Sequence, residues 1–296
     1  MPSTDPTKKL RILCFGEVLW DCLPTGRLPG GAPLNVAYHL HKLGCDARIV
    51  SAVGRDAAGD EMLAYLQSRG LSTEFIQRHA TLPTGAVDVA LEAGQPRYTI
   101  REGVAWDEIA RDDAVLRAAA ESQAIVFGTL AARSATNRAT LDALLGVTGP
   151  MRLIDVNLRP PYDDRERALG LARRADWIKL NEDEVAHLIQ QPVAGGRLPR
   201  GVGILNELTG VKRVCVTQGA GGATAWDVFI VIHMLARPVK ICDTIGAGDA
   251  FAAAFTVGVL TQKVSTHLPA ILRRACDLGS LVASLPGGQP DYTASG

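Results

Sequence analysis

Short apolar runs of strand length alternate with amphipathic segments of helical period along most of the chain. The apolar runs predict strands at residues 10–15, 48–53, 124–127, 153–156, 177–180, 211–216 and 239–242. The amphipathic segments predict helices at residues 35–43, 59–68, 112–120, 137–145, 165–174, 182–189, 250–260 and 268–283. This alternation is typical of an α/β protein, in which a mainly parallel sheet carries helices on both faces. Ligands of such sheets bind beyond the carboxyl ends of the strands.

One region breaks the alternation of strand-like and helix-like segments, and two further segments stand out by their composition. Residues 84–91 and 97–100 are β-like runs joined by a short loop with a glycine, and they predict a β-hairpin because no helical pattern separates them. Residues 191–203 are rich in glycine and proline and predict a surface loop. Residues 226–237 are apolar, and their pattern alone assigns them no role.

Composition narrows the classes of function. The chain has 296 residues, of which 47% are hydrophobic and 21% charged, and 31 basic side chains balance 31 acidic ones. We therefore expect neither nucleic acid nor a membrane as a partner. The polar start of the chain, together with cysteines that form no C-x-x-C pair, predicts a reduced, cytoplasmic protein, with Cys14, Cys215 and Cys242 buried in strands.

The segment 243–251, DTIGAGDAF, carries the strongest chemical signal. Small residues at 246–248 leave backbone N–H groups open to a ligand, and the N-terminus of the following helix adds positive potential. This combination favours an anion, and a phosphate fits best. Asp249 puts a carboxylate beside that anion, which suggests that it accepts a proton from an attacking hydroxyl. The alternative is a helix cap that follows a tight turn.

Three motifs in a fixed order resemble one family. DTIGAGDAF is similar to the C-terminal signature of the ribokinase-like sugar kinases, the PfkB carbohydrate kinase family, and GGAPLNVA at 30–37 resembles an earlier signature of that family. Between them, NEDE at 181–184 matches the N-x-x-E motif. The start, FGEVLWDCLP at 15–24, resembles the fructokinase-like branch in particular.

The resemblance implies a ribokinase-like three-layer α/β/α core in one sugar-kinase domain, residues 1–296, with a small projecting β lid. The predicted hairpin fits that lid, whose segments would run from about 18–30 and 81–106. Lids of this family pair between subunits in many members, so a homodimer through the lid is an expectation.

The resemblance also implies which residues bind the sugar. Hydroxyl groups need fixed donors and acceptors and a close backbone approach, which the polar and glycine residues of the early motifs would supply. The expected substrate contacts are Asp21, Gly30, Gly31, Asn35 and Arg159. The alternatives are an N-cap for Asn35, a solvated loop carboxylate for Asp21, and for Arg159 a structural ion pair with Asp155.

The nucleotide and cations would lie further along the sheet. Expected ATP contacts are Asn181, Thr217, Gly219, Gly222, Gly246 and Gly248, and Ala247 would join Gly246 and Gly248 in binding the transferring phosphoryl group. The adenine would lie between the 217–222 loop and residues 281–288. Glu184 would hold Mg²⁺ through water, or complete a capping box with Asn181. Asp243 would bind a monovalent cation such as K⁺, or cap its own loop.

The resulting hypothesis is ATP-dependent phosphorylation of a small sugar at a primary hydroxyl, with D-fructose to fructose 6-phosphate as the first candidate. Asp249 would be the base. Trp106 would shield the sugar or pack in the core, and Arg97, Arg101 and Arg159 are the candidate partners of an acidic sugar. The alternatives are a 2-keto-3-deoxygluconate kinase, a ribokinase and a non-catalytic sugar or nucleotide sensor on the same fold.

Overall fold

The computed structural model of the protein describes residues 9–24, 26–92, 95–228 and 230–293. The strands of these ranges are β1 (Arg11–Phe15), β2 (Leu19–Leu23), β3 (Gly26–Gly30), β4 (Asp46–Gly54), β5 (Ile76–His79), β6 (Gly85–Glu92), β7 (Gln95–Ile100), β8 (Ala124–Gly128), β9 (Met151–Asp155), β10 (Trp177–Asn181), β11 (Arg213–Thr217), β12 (Ala223–Asp227) and β13 (Ile230–Met234). The helices are α1 (Ala32–Lys42), α2 (Ala57–Ser68), α3 (Asp113–Ala120), α4 (Ala135–Leu145), α5 (Arg165–Ala172), α6 (Glu182–Ile189), α7 (Leu198–Thr209), α8 (Ala247–Thr261) and α9 (Val264–Ala283).

Nine of the described strands form one large sheet in the spatial order β13-β12-β11-β10-β9-β8-β1-β4-β5. Neighbours from β11 to β5 pair in parallel, and β12 and β13 continue the sheet as antiparallel strands. The predicted α/β class with a mainly parallel sheet is confirmed.

Both faces of the large sheet are buried, because successive side chains of a strand point to opposite sides. In β1, Ile12 and Cys14 pack in the layer of α1, α2, α8 and α9, whereas Leu13 and Phe15 pack in the layer of α3 to α7. All four side chains are inaccessible to solvent. The sheet is therefore the middle of three layers.

A second sheet, which we call the small sheet, has the order β3-β2-β6-β7. Its strands lie in the two segments where the sequence placed a lid, and β6 and β7 are the two arms of the predicted hairpin. Beneath it lies a compact apolar cluster that contains Leu19, Val87, Trp106 and Leu130. Because β2 begins four residues after β1 ends, the small sheet lies close to the carboxyl end of the large one.

Three local predictions were wrong. Residues 239–242 form no strand, and Cys242 is exposed rather than buried. Part of the predicted 191–203 loop belongs to α7, which starts at Leu198 because the proline that follows is favourable at a helix start. The two edge strands after Thr217 had not been assigned.

The edge strands explain the apolar stretch at 226–237. Along β13, Ile230, Ile232 and Met234 pack against the core, and the alternate residues Val231 and His233 face solvent. The stretch thus contains β13, the edge strand of the large sheet among the described residues. No helix of the described residues is long and apolar enough to cross a membrane.

Two glycines test the packing between helices. A Cβ at Gly258 in α8 would lie 2.7 Å from Cγ2 of Ile271 in α9, whereas a Cβ at Gly203 in α7 meets nothing within 4 Å. We expect Gly258→Ala to lower the free energy of unfolding by about 1–2 kcal/mol through overpacking. Gly203→Ala should raise it by about 0.5–1 kcal/mol, because alanine restricts the unfolded chain and favours the helix.

Urea denaturation of both variants beside the wild type measures the difference. Equal stabilisation by the two substitutions would contradict the close contact between α8 and α9.

Candidate active site

The order of the strands in the large sheet predicts where a ligand-binding crevice lies. From β1 the chain adds β4 and β5 on one side, and later adds β8 to β11 on the other side, so the direction of winding reverses between β1 and β8. A crevice opens at such a reversal, beyond the carboxyl ends of the strands. Glu17 follows β1, Asn157 and Arg159 follow β9, Asn181 ends β10 and Thr217 ends β11.

A first cleft of about 820 Å³ lies between the small sheet and these strand ends. It brings together most of the residues expected to bind the substrate or carry out chemistry: Asp21, Gly31, Asn35, Arg159, Gly246, Gly248 and Asp249. Its walls also include Glu17, Lys179 and Tyr98, which the sequence analysis did not assign to a site. Gly30 lies behind this wall, where a side chain would collide with the carboxylate of Asp21.

A second cleft of about 630 Å³ lies on the other side of residues 246–248. Five of the six expected ATP contacts line it, namely Asn181, Thr217, Gly219, Gly222 and Gly248, and Ala247 joins them. The sixth, Gly246, lines the first cleft instead. Its apolar wall includes Val239 and Ile241, which are 39% and 61% exposed. Residues 239–242, predicted as a strand, therefore border a cleft instead. On the α9 side the cleft is bordered by Gly279, Ser280 and Ala283, close to the segment expected to contact adenine.

The two clefts meet at the glycine turn, residues 246–248, because Thr244 and Gly248 line both. Gly246 has φ 75°, which glycine adopts without strain, and it precedes α8 without any side-chain cap. Within the described chain, the N–H groups of Gly246, Gly248 and Asp249 donate to no protein acceptor, while Ala247 donates to the carbonyl of Thr244 at 3.3 Å. The turn thus presents free donors at the positive end of a helix.

Asp249 lies in the first turn of α8 and faces the first cleft. Its Oδ2 accepts a hydrogen bond of 2.8 Å from Nδ2 of Asn35. Burial and the negative charge of Asp155 raise the pKa of Asp249 to about 6, against the opposing effects of Asn35, Lys179 and Arg159. A carboxylate with a pKa near neutrality is suited to accept a proton.

Asn35 is an interior residue of α1, whose N-cap is Gly31. The alternative interpretation of Asn35 as an N-cap is therefore wrong. Its Oδ1 accepts a hydrogen bond of 2.8 Å from Nε2 of Gln289, and Oε1 of Gln289 accepts one from the hydroxyl of Tyr65 at 2.9 Å. The orientation of the Asp249 carboxylate thus depends on a chain of side chains from three separate segments.

The C-terminal segment that carries Gln289 is held against α1. Nδ1 of His39 lies 2.8 Å from the hydroxyl of Tyr292, and Nε2 lies 3.0 Å from the carbonyl of Gly288. Burial lowers the pKa of His39 to about 4, so it stays neutral at physiological pH. A Cβ on Gly246 would collide with the backbone of Gly288, so the glycine turn and this segment are in direct contact.

Two further carboxylates face the first cleft. Burial raises the pKa of Glu17 to about 7 and that of Asp21 to about 6, and the positive charge of Arg159 opposes both shifts. Asp155 forms an ion pair with Lys179 instead of Arg159, so the alternative of a structural Arg159–Asp155 pair is wrong. Arg159 is exposed at the mouth of the cleft, where it is available to a negatively charged substrate.

The expected metal ligands make internal contacts. Glu184 is buried and accepts hydrogen bonds of 2.8 Å from the backbone N–H groups of Leu158 and Asn181, and Asn181 caps α6 in return, as the capping-box alternative predicts. Asp243 accepts from the N–H groups of Ile245 and Gly287. Within the described ranges, no three metal-ligating side chains cluster. Each Glu184 oxygen thus already accepts a backbone hydrogen bond and Glu184 lines neither cleft, which fits the capping box. A contact to Mg²⁺ through water stays a prediction.

The remaining candidates have structural surroundings. Trp106 is fully buried under the small sheet and lines neither cleft, which favours core packing. Arg101 pairs with Asp88, 2.6 Å away, on the small sheet. The side chain of Arg97 lies outside the part of the chain that the structure describes.

Comparison with known proteins gives a consistent result. The family model described as "pfkB family carbohydrate kinase" matches residues 6–294. A fructokinase of Klebsiella pneumoniae is 30% identical over 296 aligned residues, which cover 94% of each protein.

Solved structures share the fold. A fructokinase of Xylella fastidiosa with bound ATP superposes with a TM-score of 0.80 at 23% identity, covering 95% of this chain and 94% of that one. A variant fructokinase of Vibrio cholerae, with fructose, ADP and a potassium ion bound, superposes with a TM-score of 0.81 at 20% identity and the same coverage. At these identities the superpositions establish the architecture alone.

The raised pKa of Asp249 predicts a cost in stability. Between pH 4 and 6 the folded state binds this proton more tightly than the unfolded state, so stability falls as pH rises through that window. Above it the carboxylate is charged in both states and the full cost remains. We expect Asp249→Asn to raise the free energy of unfolding by about 1–3 kcal/mol at pH 8, and to change it little at pH 4.

Asp56→Asn is the matched control. Burial would raise the pKa of Asp56, but hydrogen bonds from Thr84 and Gly59 outweigh it and lower that pKa, so this variant should be less stable at pH 8. Urea titrations at the two pH values measure both effects. An Asp249→Asn protein less stable than the wild type at pH 8 would contradict the unfavourable surroundings of the carboxylate.

Proposed function

The chain belongs to the PfkB family of carbohydrate kinases, and from that membership we propose that it transfers the γ-phosphoryl group of ATP to a primary hydroxyl of a small sugar, with D-fructose as the first candidate. The observation that carries the proposal is the position of Asp249. Its carboxylate lies beside free N–H groups of the glycine turn, where two clefts of suitable size meet. One cleft then holds the acceptor and the other the donor, with the base between them.

The second cleft is suited to a nucleotide. Its apolar wall at Val239 and Ile241 offers a surface for a flat base, and the loop with Gly219 and Gly222 allows a close approach of ribose and phosphates. The γ-phosphoryl end would then lie at Gly248, where the helix N-terminus stabilises negative charge. In this proposal Asn181 and Thr217 contact the phosphate side of the nucleotide.

The first cleft is suited to a polyol. Asp21 and Glu17 offer carboxylate acceptors, Asn35 offers an amide, and Gly31 leaves the wall without side-chain bulk at its position. Leu19, Val87 and Ile100 add apolar surface on the side of the small sheet. Closure of the small sheet as a lid would exclude water, which otherwise competes as phosphoryl acceptor.

The reaction then needs little covalent help from the protein. The sugar oxygen attacks the γ-phosphorus as its proton passes to Asp249, and the bond from that phosphorus to the β,γ-bridging oxygen breaks to release ADP. The free donors of the glycine turn stabilise the phosphoryl oxygens as they move between the clefts. Magnesium belongs to the proposal as the partner of ATP. A K⁺ requirement and a homodimer through the small sheet remain predictions.

Replacing Asp249 by Asn should reduce kcat by at least about 1,000-fold, because the sugar hydroxyl loses its proton acceptor. ADP release from MgATP and sugar measures turnover, and isothermal titration with ADP checks that the second cleft still binds nucleotide. Asp56→Asn should keep kcat within about threefold, since Asp56 caps α2 away from both clefts.

The pH dependence of turnover gives a second test of the proposed proton acceptor Asp249 and of the two carboxylates near it. Turnover should fall on the acid side between about pH 6 and 7, where Asp249, Asp21 and Glu17 take up protons. Normal turnover of the Asp249→Asn protein would show that the base is another residue.

The sugar is tested with a panel of fructose, ribose, glucose, tagatose and 2-keto-3-deoxygluconate, with and without potassium. We expect the highest kcat/KM with fructose, and we expect Asp21→Asn to raise the sugar KM at least tenfold while the KM for ATP changes little, since only the first cleft contains Asp21.

The other outcomes are equally informative. Preference for the acidic sugar, lost in Arg159→Gln, would replace fructose by 2-keto-3-deoxygluconate. Sugar binding without turnover on any member of the panel would favour the sensor.

A further inference from the structure

A buried ion pair lies at the base of the first cleft and has no part in the reaction as described above. Asp155 and Lys179 are paired in register on the neighbouring parallel strands β9 and β10, so their side chains leave the sheet on the same face. Nζ of Lys179 lies 3.0 Å and 2.8 Å from the two oxygens of Asp155. Their side chains are only 9% and 6% exposed.

The lysine reaches the glycine turn. A Cβ built on Gly248 would lie 3.2 Å from Nζ of Lys179, and Lys179 also lines the first cleft. The ammonium group therefore lies next to Gly248, the residue at which the two clefts meet. An ammonium has three N–H donors. Asp155 is its acceptor within the described chain, and a donor is left for a ligand in the cleft.

Lys179 is protonated at neutral pH, because its surroundings raise its pKa. Burial would lower the pKa of Lys179, but the carboxylates of Asp155, Glu184 and Asp249 outweigh burial and raise it. Lys179 is thus a positive charge fixed at one place, surrounded by acidic groups on β9, α6 and α8. Arg159, another cation near these groups, is exposed and lines the same cleft, and its side chain donates to the carbonyl of Leu158.

We propose that Lys179 is a further catalytic residue, whose ammonium group donates to an oxygen of the transferring phosphoryl group while Asp155 positions it from below. The inference rests on the proposed function. The phosphoryl group carries negative charge on three oxygens as it passes between the clefts. The glycine turn offers donors to the phosphoryl group from one side. The ammonium group of Lys179 beside Gly248 adds a donor from another side, and it is already in position before the reaction, so no reorganisation is needed.

A purely structural pair is the competing explanation, and a double replacement separates the two. Removing one partner of a buried ion pair strands the other charge, whereas removing both is often tolerated. Lys179→Met alone should therefore be destabilised for reasons unrelated to catalysis. Lys179→Met combined with Asp155→Asn removes both charges, so it should recover most of the lost thermal stability.

Turnover should not recover with stability. We expect kcat of the double variant to stay about 100-fold or more below the wild type, with the sugar KM and the affinity for ADP changed no more than about threefold. Lys179→Arg, which keeps the charge, should retain more activity than Lys179→Met. As a matched control, Arg133→Met with Asp107→Asn removes a second buried pair, which lies beneath the small sheet, and should leave kcat within about threefold.

Binding of ADP with fluoroaluminate and sugar, measured by isothermal titration, provides a readout that does not need turnover. The wild type should bind this planar phosphoryl mimic more tightly than ADP alone, and the double variant should lose that gain while it keeps its affinity for ADP. A stable double variant with normal kcat and normal fluoroaluminate affinity would overturn the inference. A wild type that neither turns over nor binds the mimic with any sugar would overturn the proposed function instead.

Discussion

The hydrogen bond between Asn35 and Asp249 joins residues 214 positions apart and sets the geometry on which the site depends. It forms only if α1 and α8 pack side by side in the same layer, which their shared apolar cluster ensures. Asn35 is held in turn by Gln289, so the C-terminal segment reaches the carboxylate through one intermediate side chain. The network leaves one free side of the Asp249 carboxylate, and that side faces the first cleft.

The same packing explains two glycines. Gly246 has a positive φ, and a Cβ at this position would lie 2.5 Å from the α-carbon of Gly288. A side chain there would therefore push the C-terminal segment away from α1. Gly31 has φ 108° and lies against the backbone of Glu17, so the start of α1 stays close to the end of β1. Because each glycine lacks a side chain, it allows two segments to approach closely at the strand ends: Gly246 and Gly288 in one case, Gly31 and Glu17 in the other.

Site residues could be predicted from the sequence where a polar residue borders an apolar run. They could not be predicted where the residue lies inside a strand or in a segment without regular structure. Asp21 and Asn181 stand where an apolar run ends and Asp249 stands directly before one begins, so their polarity is visible without a structure. Lys179 sits inside an apolar strand, and its ion pair depends on the register between β9 and β10, which no periodicity specifies. Gln289 belongs to a segment without regular structure, whose course follows from tertiary contacts such as those of His39. The prediction of a strand at residues 239–242 was wrong because a short apolar run that borders a cleft has the same sequence pattern as a strand.

Local charge, rather than net charge, controls this site. The chain is neutral overall, yet among the described residues the carboxylates Glu17, Asp21, Asp155 and Asp249 lie around Lys179 and Arg159, so negative charge is in excess there. Burial, together with the negative charge of Asp155, raises the pKa of Asp249 to about 6, which is high enough to accept a proton and low enough for the group to be ionised at neutral pH. The same excess would repel a nucleotide, so the donors at the glycine turn have to offset it over a short distance. Under the proposed function, an incoming phosphoryl group is stabilised at the junction of the two clefts, where Asp249 would also meet the sugar hydroxyl.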